Sequence, residues 1–418
     1  MNLQEKADRL IAQGALTNSK RPETFIKGVY PTHLKNGNGC YVWDYENKKY
    51  FDFITGLGSN LLGYANQEVN TAISHRLTQG ITLSLGTQEE LDLAERLKII
   101  FPFVDCMKFL KTGTEACMAA VRIARAYTHR KLILSAHYHG WSDGFVSLSP
   151  PSIGCPEQYD HSEEPLFYIF DEDYEVNLTY SKYMYSYIDK NSPLNAAAII
   201  IEPITTDFSD SRIEWLRRLR EFCTKNGVLL IFDEVITGFR FPQFSVANYY
   251  GIEPDIICLG KAMANGMPIS CVAGKKEIMN CGEYFISSTF AGETLSLAAA
   301  KKTMELLQTK YKLKDLWEKG EAWLTEFNSF YPEKIKIEGY PTRGRFVGDS
   351  EVKALLFQEA CEAGILLGPS WFFNFPLSEE NHILASLKEI LCKIKKGNVK
   401  LKGEMPKSPF SEKMRKKA

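Results

Sequence analysis

The sequence predicts an α/β protein with a large domain on a mainly parallel central sheet and a smaller α+β domain. In the middle of the chain, short apolar runs typical of buried strands alternate with helical periodicity, as they do in βαβ units. The chain has 418 residues, about twice the length of a typical single domain. From about residue 306 the alternation gives way to amphipathic helices around a short strand region. These three observations favour two domains of unequal size.

The elements follow in chain order. Residues 41–53 predict a hairpin with its turn near Asn47, and residues 68–76 and 89–100 predict helices. Residues 148–189 are rich in Pro, Asp and Tyr, so a long mobile segment is expected there. The central sheet is predicted from six apolar runs and one helix between the first two, namely strands at 107–110, 131–135, 196–201, 228–232, 256–259 and 269–273 and the helix at 116–127.

These elements divide the chain into four parts. Residues 1–55 form an N-terminal segment that joins the small domain, and residues 56–305 form the large domain. Residues 306–392 form the C-terminal small domain, and residues 393–418 form a basic tail. The tail has ten basic and two acidic residues together with two prolines. That composition predicts disorder, with a docking arm for an anionic substrate or partner as the alternative.

Composition excludes several classes of function. Lys and Arg total 50 and Asp and Glu total 51, a balance that gives no reason to expect a nucleic acid or membrane partner. The first residues lack the basic and apolar regions of a secretory signal, and no apolar run reaches the length of a membrane span. The ten cysteines show no CxxC spacing and are expected to be reduced thiols. We therefore expect a cytoplasmic protein.

An acid and an amine follow two apolar runs of the predicted sheet. Asp233 comes directly after the run at 228–232, and Lys261 follows the run at 256–259. In open α/β sheets, ligands bind outside the carboxyl ends of the strands. An amine that forms a Schiff base, next to a carboxylate that keeps a pyridine nitrogen protonated, suits pyridoxal 5′-phosphate. Alone, Lys261 would be interpreted as a surface lysine, but its company favours the cofactor.

Other strand ends add groups that suit the same cofactor. Thr112, Gly113 and Thr114 stand between a strand and a helix, where bare amides can bind phosphate, although the same residues also form an ordinary capped turn. Tyr138 could stack on a cofactor ring or be a half-buried aromatic. Its neighbours His137 and His139 have no third ligand nearby, which favours structural roles, and no metal is expected.

The chain resembles class III pyridoxal-phosphate aminotransferases of fold type I, and among them the glutamate-1-semialdehyde 2,1-aminomutases and their relatives. The resemblance covers about residues 8–392. It rests on six motifs, namely Tyr-Val-Trp-Asp at 41–44, Lys-Thr-Gly-Thr-Glu-Ala at 111–116, Tyr-His-Gly at 138–140, Ile-Ile-Glu-Pro at 200–203, Phe-Asp-Glu-Val-Ile-Thr-Gly-Phe-Arg at 232–240 and Leu-Gly-Lys-Ala at 259–262.

The resemblance implies a role for each matched residue. Lys261 would be the Schiff-base lysine and Asp233 the partner of the pyridine nitrogen, which makes these two the catalytic pair. Thr289 would reach the phosphate of the neighbouring subunit, which implies a homodimer with sites shared across its interface. Val235 and Tyr138 would enclose the ring, and Gly113 and Thr114 would hold the phosphate. The implied cofactor-binding set is therefore Gly113, Thr114, Tyr138, Glu202, Asp207, Asp233, Val235, Lys261 and Thr289.

Departures from the aminomutase pattern concern the substrate. Phe373 stands where the family's gating segment has a glutamate, and Asp207 stands where relatives carry an asparagine near the cofactor's phenolic oxygen. Ser19 and Arg21 lie in a segment that resembles the one binding the substrate carboxylate. Arg21 is thus either an anion clamp or a solvated arginine.

The resemblance implies an aminotransferase that moves an amino group between a small-molecule amino donor and a polar carbonyl acceptor. The reaction would pass through a Schiff base on Lys261 and a pyridoxamine phosphate intermediate. A glutamate-1-semialdehyde 2,1-aminomutase is the alternative. A racemase or decarboxylase on the same scaffold is another, because the cofactor permits any bond at the α-carbon to break.

Overall fold

A computed structural model of the protein describes residues 2–148, 153–156, 166–169, 195–380 and 382–407. The described residues form two compact units, the first from 2–67 and 314–407 and the second from 68–313. The expected mobile segment at 148–189 lies almost wholly outside the described residues. The domain limits drawn from the sequence stay a prediction.

Helices and strands are numbered here in chain order. The strands are β1 Leu34–Asn38, β2 Tyr41–Asp44, β3 Lys49–Asp52, β4 Cys106–Leu110, β5 Leu132–Ala136, β6 Phe167–Ile169, β7 Ala196–Ile201, β8 Leu229–Asp233, β9 Ile256–Leu259, β10 Ser270–Gly274, β11 Ile335–Tyr340, β12 Arg343–Gly348, β13 Ile365–Leu366 and β14 Ser370–Phe372. The helices are α1 Leu3–Leu10, α2 Thr55–Gly58, α3 Gln67–Leu77, α4 Gln88–Ile100, α5 Gly113–Thr128, α6 Asp143–Val146, α7 Asp210–Asn226, α8 Val246–Tyr250, α9 Lys276–Met279, α10 Thr294–Thr309, α11 Leu313–Asn328, α12 Ser350–Glu362 and α13 His382–Lys395.

The second unit is built on a seven-stranded sheet in the order β4-β10-β9-β8-β7-β5-β6. The strands β9, β8, β7, β5 and β6 run parallel, and β10 is antiparallel to both of its neighbours. Every residue of β7 is buried, as expected for a parallel strand covered on both faces. The mainly parallel sheet is therefore confirmed. The sequence interpretation missed β6, a three-residue edge strand inside the segment taken as aperiodic.

Helix α5 brings the turn at 111–114 to the functional edge of this sheet. Its inner face is rich in alanine, and Ala116, Ala120 and Ala124 are fully buried where the helix packs on β7, β9 and β10. Small side chains let the helix approach the strands closely. Because β4 is antiparallel to β10, which is antiparallel to β9, β4 runs in the direction of β9. The start of α5 therefore lies at the carboxyl edge of the parallel strands.

The first unit holds two smaller sheets. One has the order β1-β2-β3-β13, and the other has the order β11-β12-β14. The predicted hairpin is confirmed, with β2 and β3 antiparallel. An aromatic cluster forms part of its core, where Trp371 stacks on Trp323 at 5.1 Å and on Phe373 at 5.3 Å between ring centroids.

The basic tail makes defined contacts where the structure describes it, at residues 393–407, and the predicted disorder of residues 393–418 stays a prediction. Helix α13 extends to Lys395. Beyond it, the fully buried Gln358 donates to the Lys400 carbonyl at 2.9 Å and accepts the Lys402 amide at 2.7 Å. These backbone partners hold a segment whose composition alone favours disorder. Residues 408–418 lie outside the described residues.

Within the part of the chain that the structure describes, no helix combines the length and the apolar character needed to cross a membrane.

Candidate active site

Four parallel strands of the second unit end at one edge with polar residues. The β-ladder pairs Ile201 with both Ala136 and Phe232, and it pairs Asp233 with Cys258. Glu202, Asp233 and Lys261 each follow these pairs by at most a few residues. The structure thus brings together the acids and the amine that the sequence predicted at the strand ends.

Lys261 begins a short 3-10 turn directly after β9. Its φ of 41° lies in the left-handed region, which non-glycine residues rarely adopt. The backbone therefore leaves the sheet sharply at this residue, and the side chain is only partly buried. Backbone strain of this kind clusters at functional sites. The positive charge of Lys261 is one of the influences that lower the pKa of Asp233, so the two side chains interact electrostatically.

Asp233 is 5% exposed and is held by three donors. Oδ2 lies 2.8 Å from Nδ1 of His139 and accepts the Cys117 thiol at 3.3 Å. Oδ1 accepts the amide of Val235 at 3.0 Å. Burial raises the pKa of a carboxyl, but the hydrogen bond and charge of His139 outweigh it and hold the pKa of Asp233 below its ordinary value. The site therefore contains a buried carboxylate in its ionised form.

His139 is the functional residue that the sequence interpretation set aside. Its ring is 2% exposed, and Nε2 faces the Ala136 carbonyl at 2.5 Å while Nδ1 faces Asp233. Both ring nitrogens therefore face oxygen atoms that can accept a hydrogen bond. The usable signal was its place inside the Tyr-His-Gly motif, one residue from the tyrosine predicted to stack on the ring.

The turn before α5 has the geometry of an anion site. Thr112 caps the helix by accepting the Glu115 amide, and the first intrahelical bond runs from the Ala116 amide to the Thr112 carbonyl at 3.1 Å. The amides of Gly113 and Thr114 precede that bond at the positive end of a 16-residue helix. Such amides bind phosphate.

Val235 packs against the backbone of two glycines. A Cβ added to Gly113 would come within 2.9 Å of a Val235 methyl group, and one added to Gly260 would come within 3.3 Å. Any side chain at Gly113 would thus displace Val235 or the start of α5. Gly140 is equally tight, because a Cβ there would collide with Thr114. We name the turn at 111–114 the phosphate turn, after its predicted role. These contacts join the phosphate turn to the Tyr-His-Gly segment and to the strand end that carries Asp233.

Two further predicted residues differ in their surroundings. Glu202 is 8% exposed, and its Oε2 has no hydrogen-bond partner among the described residues. A buried carboxylate oxygen in that state indicates a site for a donor that the protein alone does not supply. Asp207, in contrast, is exposed and accepts the Ser209 amide at 2.9 Å just before α7. Its place near the phenolic oxygen stays a prediction.

The ring and partner contacts occupy exposed positions. Tyr138 is 47% exposed, and its pKa is raised by partial burial and by the charge of Asp233, so its hydroxyl lies within the field of that carboxylate. Thr289 is exposed in the loop before α10. That loop ends at Glu293, which pairs with Lys111 at 2.7 Å next to the phosphate turn.

The predicted substrate residues lie in the first unit. Ser19 is in a 3-10 turn at Asn18–Lys20, and Arg21 follows it with its Nε buried and unpaired among the described residues. Phe373 is 2% exposed and packs on Trp371 in the aromatic cluster. The fold alone explains the packing of Phe373, and its contact with substrate stays a prediction.

These residues suit pyridoxal phosphate. Asp233 offers a buried carboxylate for a ring nitrogen, the start of α5 offers amides for a phosphate, and Glu202 has an unpaired oxygen. Lys261 supplies the only chemistry still needed, a primary amine at the same edge. The donor set therefore matches the cofactor predicted from the sequence.

Comparison with solved structures gives the class of fold. The chain matches the FumI protein of Sphingopyxis sp. MTA144, solved in its PLP internal aldimine form, with a TM-score of 0.84 and 23% identity over 97% of this chain and 98% of that one. It matches an omega-transaminase from Sphaerobacter thermophilus with a TM-score of 0.80 and 22% identity over 94% and 97% of the two chains. The predicted fold of pyridoxal-phosphate-dependent transferases is confirmed.

Sequence comparison gives the family. The family described as aminotransferase class-III matches residues 26–390. A relative from Persephonella marina named glutamate-1-semialdehyde 2,1-aminomutase is 31% identical over 408 residues, which are 89% of this chain and 92% of the relative. The chain belongs to the class-III aminotransferase family, whose enzymes depend on pyridoxal 5′-phosphate, and the predicted cofactor is thereby confirmed.

Proposed function

We propose that this chain is an aminotransferase that moves an amino group from a small amino donor to a polar carbonyl compound. The observation that supports this most is the presence of a buried, ionised Asp233 and the amine of Lys261 at the same sheet edge. When bound, pyridoxal phosphate supplies an electron sink for the substrate α-carbon.

In the proposed mechanism each chemical task falls to a residue of this chain. Nζ of Lys261 would hold the cofactor covalently, and as a free amine it would take the proton from the substrate α-carbon and deliver it to the cofactor carbon that receives the amino group. Asp233 keeps the proton on the ring nitrogen, and His139 keeps Asp233 ionised. The amides of Gly113 and Thr114 hold the phosphate.

We further propose that Ser19, Arg21 and Phe373 take part in selecting the substrate. The buried, unpaired Nε of Arg21 supports a role as an anion clamp, assisted by Ser19. Phe373 replaces the glutamate of the aminomutase pattern with an apolar ring. That replacement removes an acid which would act on a small charged intermediate, and it favours exchange with a second substrate.

A 2,1-aminomutase is the second candidate, supported by the names of the sequence relatives. An aminomutase rearranges one molecule and needs no separate acceptor. A racemase or decarboxylase on the same scaffold would leave the cofactor in its starting form.

The three reactions are separated by one experiment. The pyridoxal form is incubated with a panel of amino compounds, and its conversion to the pyridoxamine form is followed by absorbance. Conversion, with release of a carbonyl product, supports the aminotransferase. Isomerisation of glutamate 1-semialdehyde without any acceptor would contradict it, as would exchange of an α-proton with solvent without conversion.

We further propose a homodimer with shared sites. Several large apolar side chains of the second unit are exposed on two segments, at 77–85 and 285–290, and we propose that a partner subunit covers them. These side chains are Leu77, Ile81, Leu83, Leu85, Phe285 and Phe290. Thr289 lies within the second segment, where a partner's phosphate would meet it.

We also propose a cytoplasmic location. The ten cysteines form no disulfide in the part of the chain that the structure describes, and Cys392 is exposed, which fits a reducing compartment.

A further inference from the structure

We propose that Cys117 is a positioning residue, whose thiol donates to Asp233 Oδ2 and, with His139, holds that carboxylate ionised for the ring nitrogen of the cofactor. The inference rests on the proposed function, because the ring nitrogen is the group that Asp233 serves. No family motif singles out this cysteine, which stands in the second turn of α5.

Geometry supports a hydrogen bond rather than a mere packing contact. Cys117 Sγ lies 3.3 Å from Asp233 Oδ2. This sulfur, a ring nitrogen of His139 and a carboxylate oxygen of Asp233 all lie within 4.8 Å of one another. All three side chains are buried. In such surroundings a thiol without a partner would cost free energy, and the Asp233 carboxylate is within hydrogen-bond reach of this thiol.

The thiol keeps its proton and can therefore donate. Hydrogen bonding with Cys258, followed by burial and the charge of Asp233, raises the pKa of Cys117 well above its ordinary value. Cys258 is itself fully buried and is paired with Asp233 in the β8–β9 ladder. Cys258 thus interacts with Cys117, and Cys117 donates to Oδ2 of Asp233.

The count of acceptor positions shows what this arrangement achieves. An ionised carboxylate oxygen accepts about two hydrogen bonds. Oδ2 is filled by His139 and Cys117, whereas Oδ1 accepts only the Val235 amide among the described residues. Oδ1 can therefore accept one more hydrogen bond, and we propose that the ring nitrogen donates it.

Other charged and titratable groups also act on Asp233 and must be held constant in a test. Tyr138 and His139 come from the segment after β5, and Glu234 is the next residue of the chain. Cys258 comes from β9 and Lys261 from the turn after it.

The first arm of the test is infrared spectroscopy of the full chain in the isolated S–H stretching region. We expect a band at the low-frequency end, which indicates a strong acceptor, and we expect Cys117→Ala to remove it. The matched variant Cys223→Ala, at a buried cysteine of α7, should leave that band in place. In Asp233→Asn the band should move to higher frequency, because the charged acceptor is lost.

The second arm measures the visible absorbance of the bound cofactor against pH. Loss of the thiol donor makes Asp233 more basic, so Asp233 draws the proton of the ring nitrogen towards itself. We therefore expect the pH at the midpoint of the absorbance change to rise by about half a unit. Cys117→Ser keeps a donor and should restore most of the wild-type profile, which simple filling of space by Cys117→Val would not.

The two arms separate the inference from the proposed function. The inference is overturned if the Cys117 band ignores Asp233→Asn, or if Cys117→Ala leaves the pH profile unchanged while the cofactor still binds. A chain that binds no pyridoxal phosphate contradicts the proposed function itself, and in that case the infrared band still decides whether the hydrogen bond exists.

Discussion

Asp233 combines burial with a lowered pKa, and His139 is the main reason. A carboxyl at this depth would otherwise favour its neutral form, which could not keep a ring nitrogen protonated. The ionised state of Asp233 therefore depends on His139, which lies 94 residues away in the sequence and is brought close by the parallel pairing of the strands.

Replacing that partner should impair the reaction without unfolding the chain. We expect His139→Asn to lower turnover by about 10- to 100-fold, because a hydrogen bond to a charged group contributes about 1.5–3 kcal/mol. Steady-state kinetics at saturating cofactor measures the change. His137→Asn is the control, since His137 is exposed at a φ of 73° that asparagine tolerates. Equal losses in both variants would contradict the assignment.

Glu234, the next residue, predicts a pH dependence of stability. Burial raises its pKa to about 7, although the amides of Ala247 and Val246 and the Thr237 hydroxyl act against that rise. A raised folded-state pKa means that the folded chain binds the proton more tightly. This stabilisation is complete below the ordinary value of about 4.3 and is lost as pH rises through about 7.

Urea unfolding tests this prediction between pH 5 and 8. The wild-type free energy of unfolding should fall across that range by up to about 3 kcal/mol from this group. In Glu234→Gln the fall should be smaller by that amount, since the glutamine does not titrate. Parallel curves for the two proteins would show that Glu234 does not titrate in this range.

At the level of elements, the start of α5 depends on the absence of a side chain at Gly113. We expect Gly113→Ala to weaken cofactor binding on the order of tenfold or more, because the added Cβ would meet Val235 at 2.9 Å. Equilibrium titration of the apo-protein with pyridoxal phosphate measures the affinity. Gly282→Ala, where nothing lies within 4 Å of the added Cβ, should bind normally. Normal binding by Gly113→Ala would argue against a phosphate at this turn.

The same elements show how far the sequence predicts the structure. The buried strand β7 is apolar throughout, and β8 is apolar up to its last residue, Asp233, so their apolar runs mark both strands within one residue. The edge strands β1 and β6 lack that signal, because the side chains of β1 are mostly exposed and β6 has only three residues, too few to show a periodicity. Asp233 and Lys261 could be found from strand ends. The contact of Cys117 with Asp233 could not, since helix and strand meet only through tertiary packing.

At the level of the whole molecule, mixed dimers test the shared site. Lys261→Ala and Thr289→Ala are each purified, denatured together and refolded as a mixture. If Thr289 serves the partner's phosphate, each mixed dimer has one intact site, and random pairing restores about a quarter of wild-type activity. If Thr289 serves its own subunit, mixing restores nothing beyond the activity of the Thr289→Ala protein. Light scattering should show a dimer in each preparation.

The most direct test of the central claim locates the cofactor on the chain. The protein is loaded with pyridoxal phosphate, reduced with borohydride to fix any covalent link, digested and mapped by mass spectrometry. The cofactor should be found on Lys261, and Lys261→Ala should lose both the link and all turnover, while the exposed-lysine variant Lys276→Ala keeps both. A link on another lysine, or full activity in Lys261→Ala, would contradict the account.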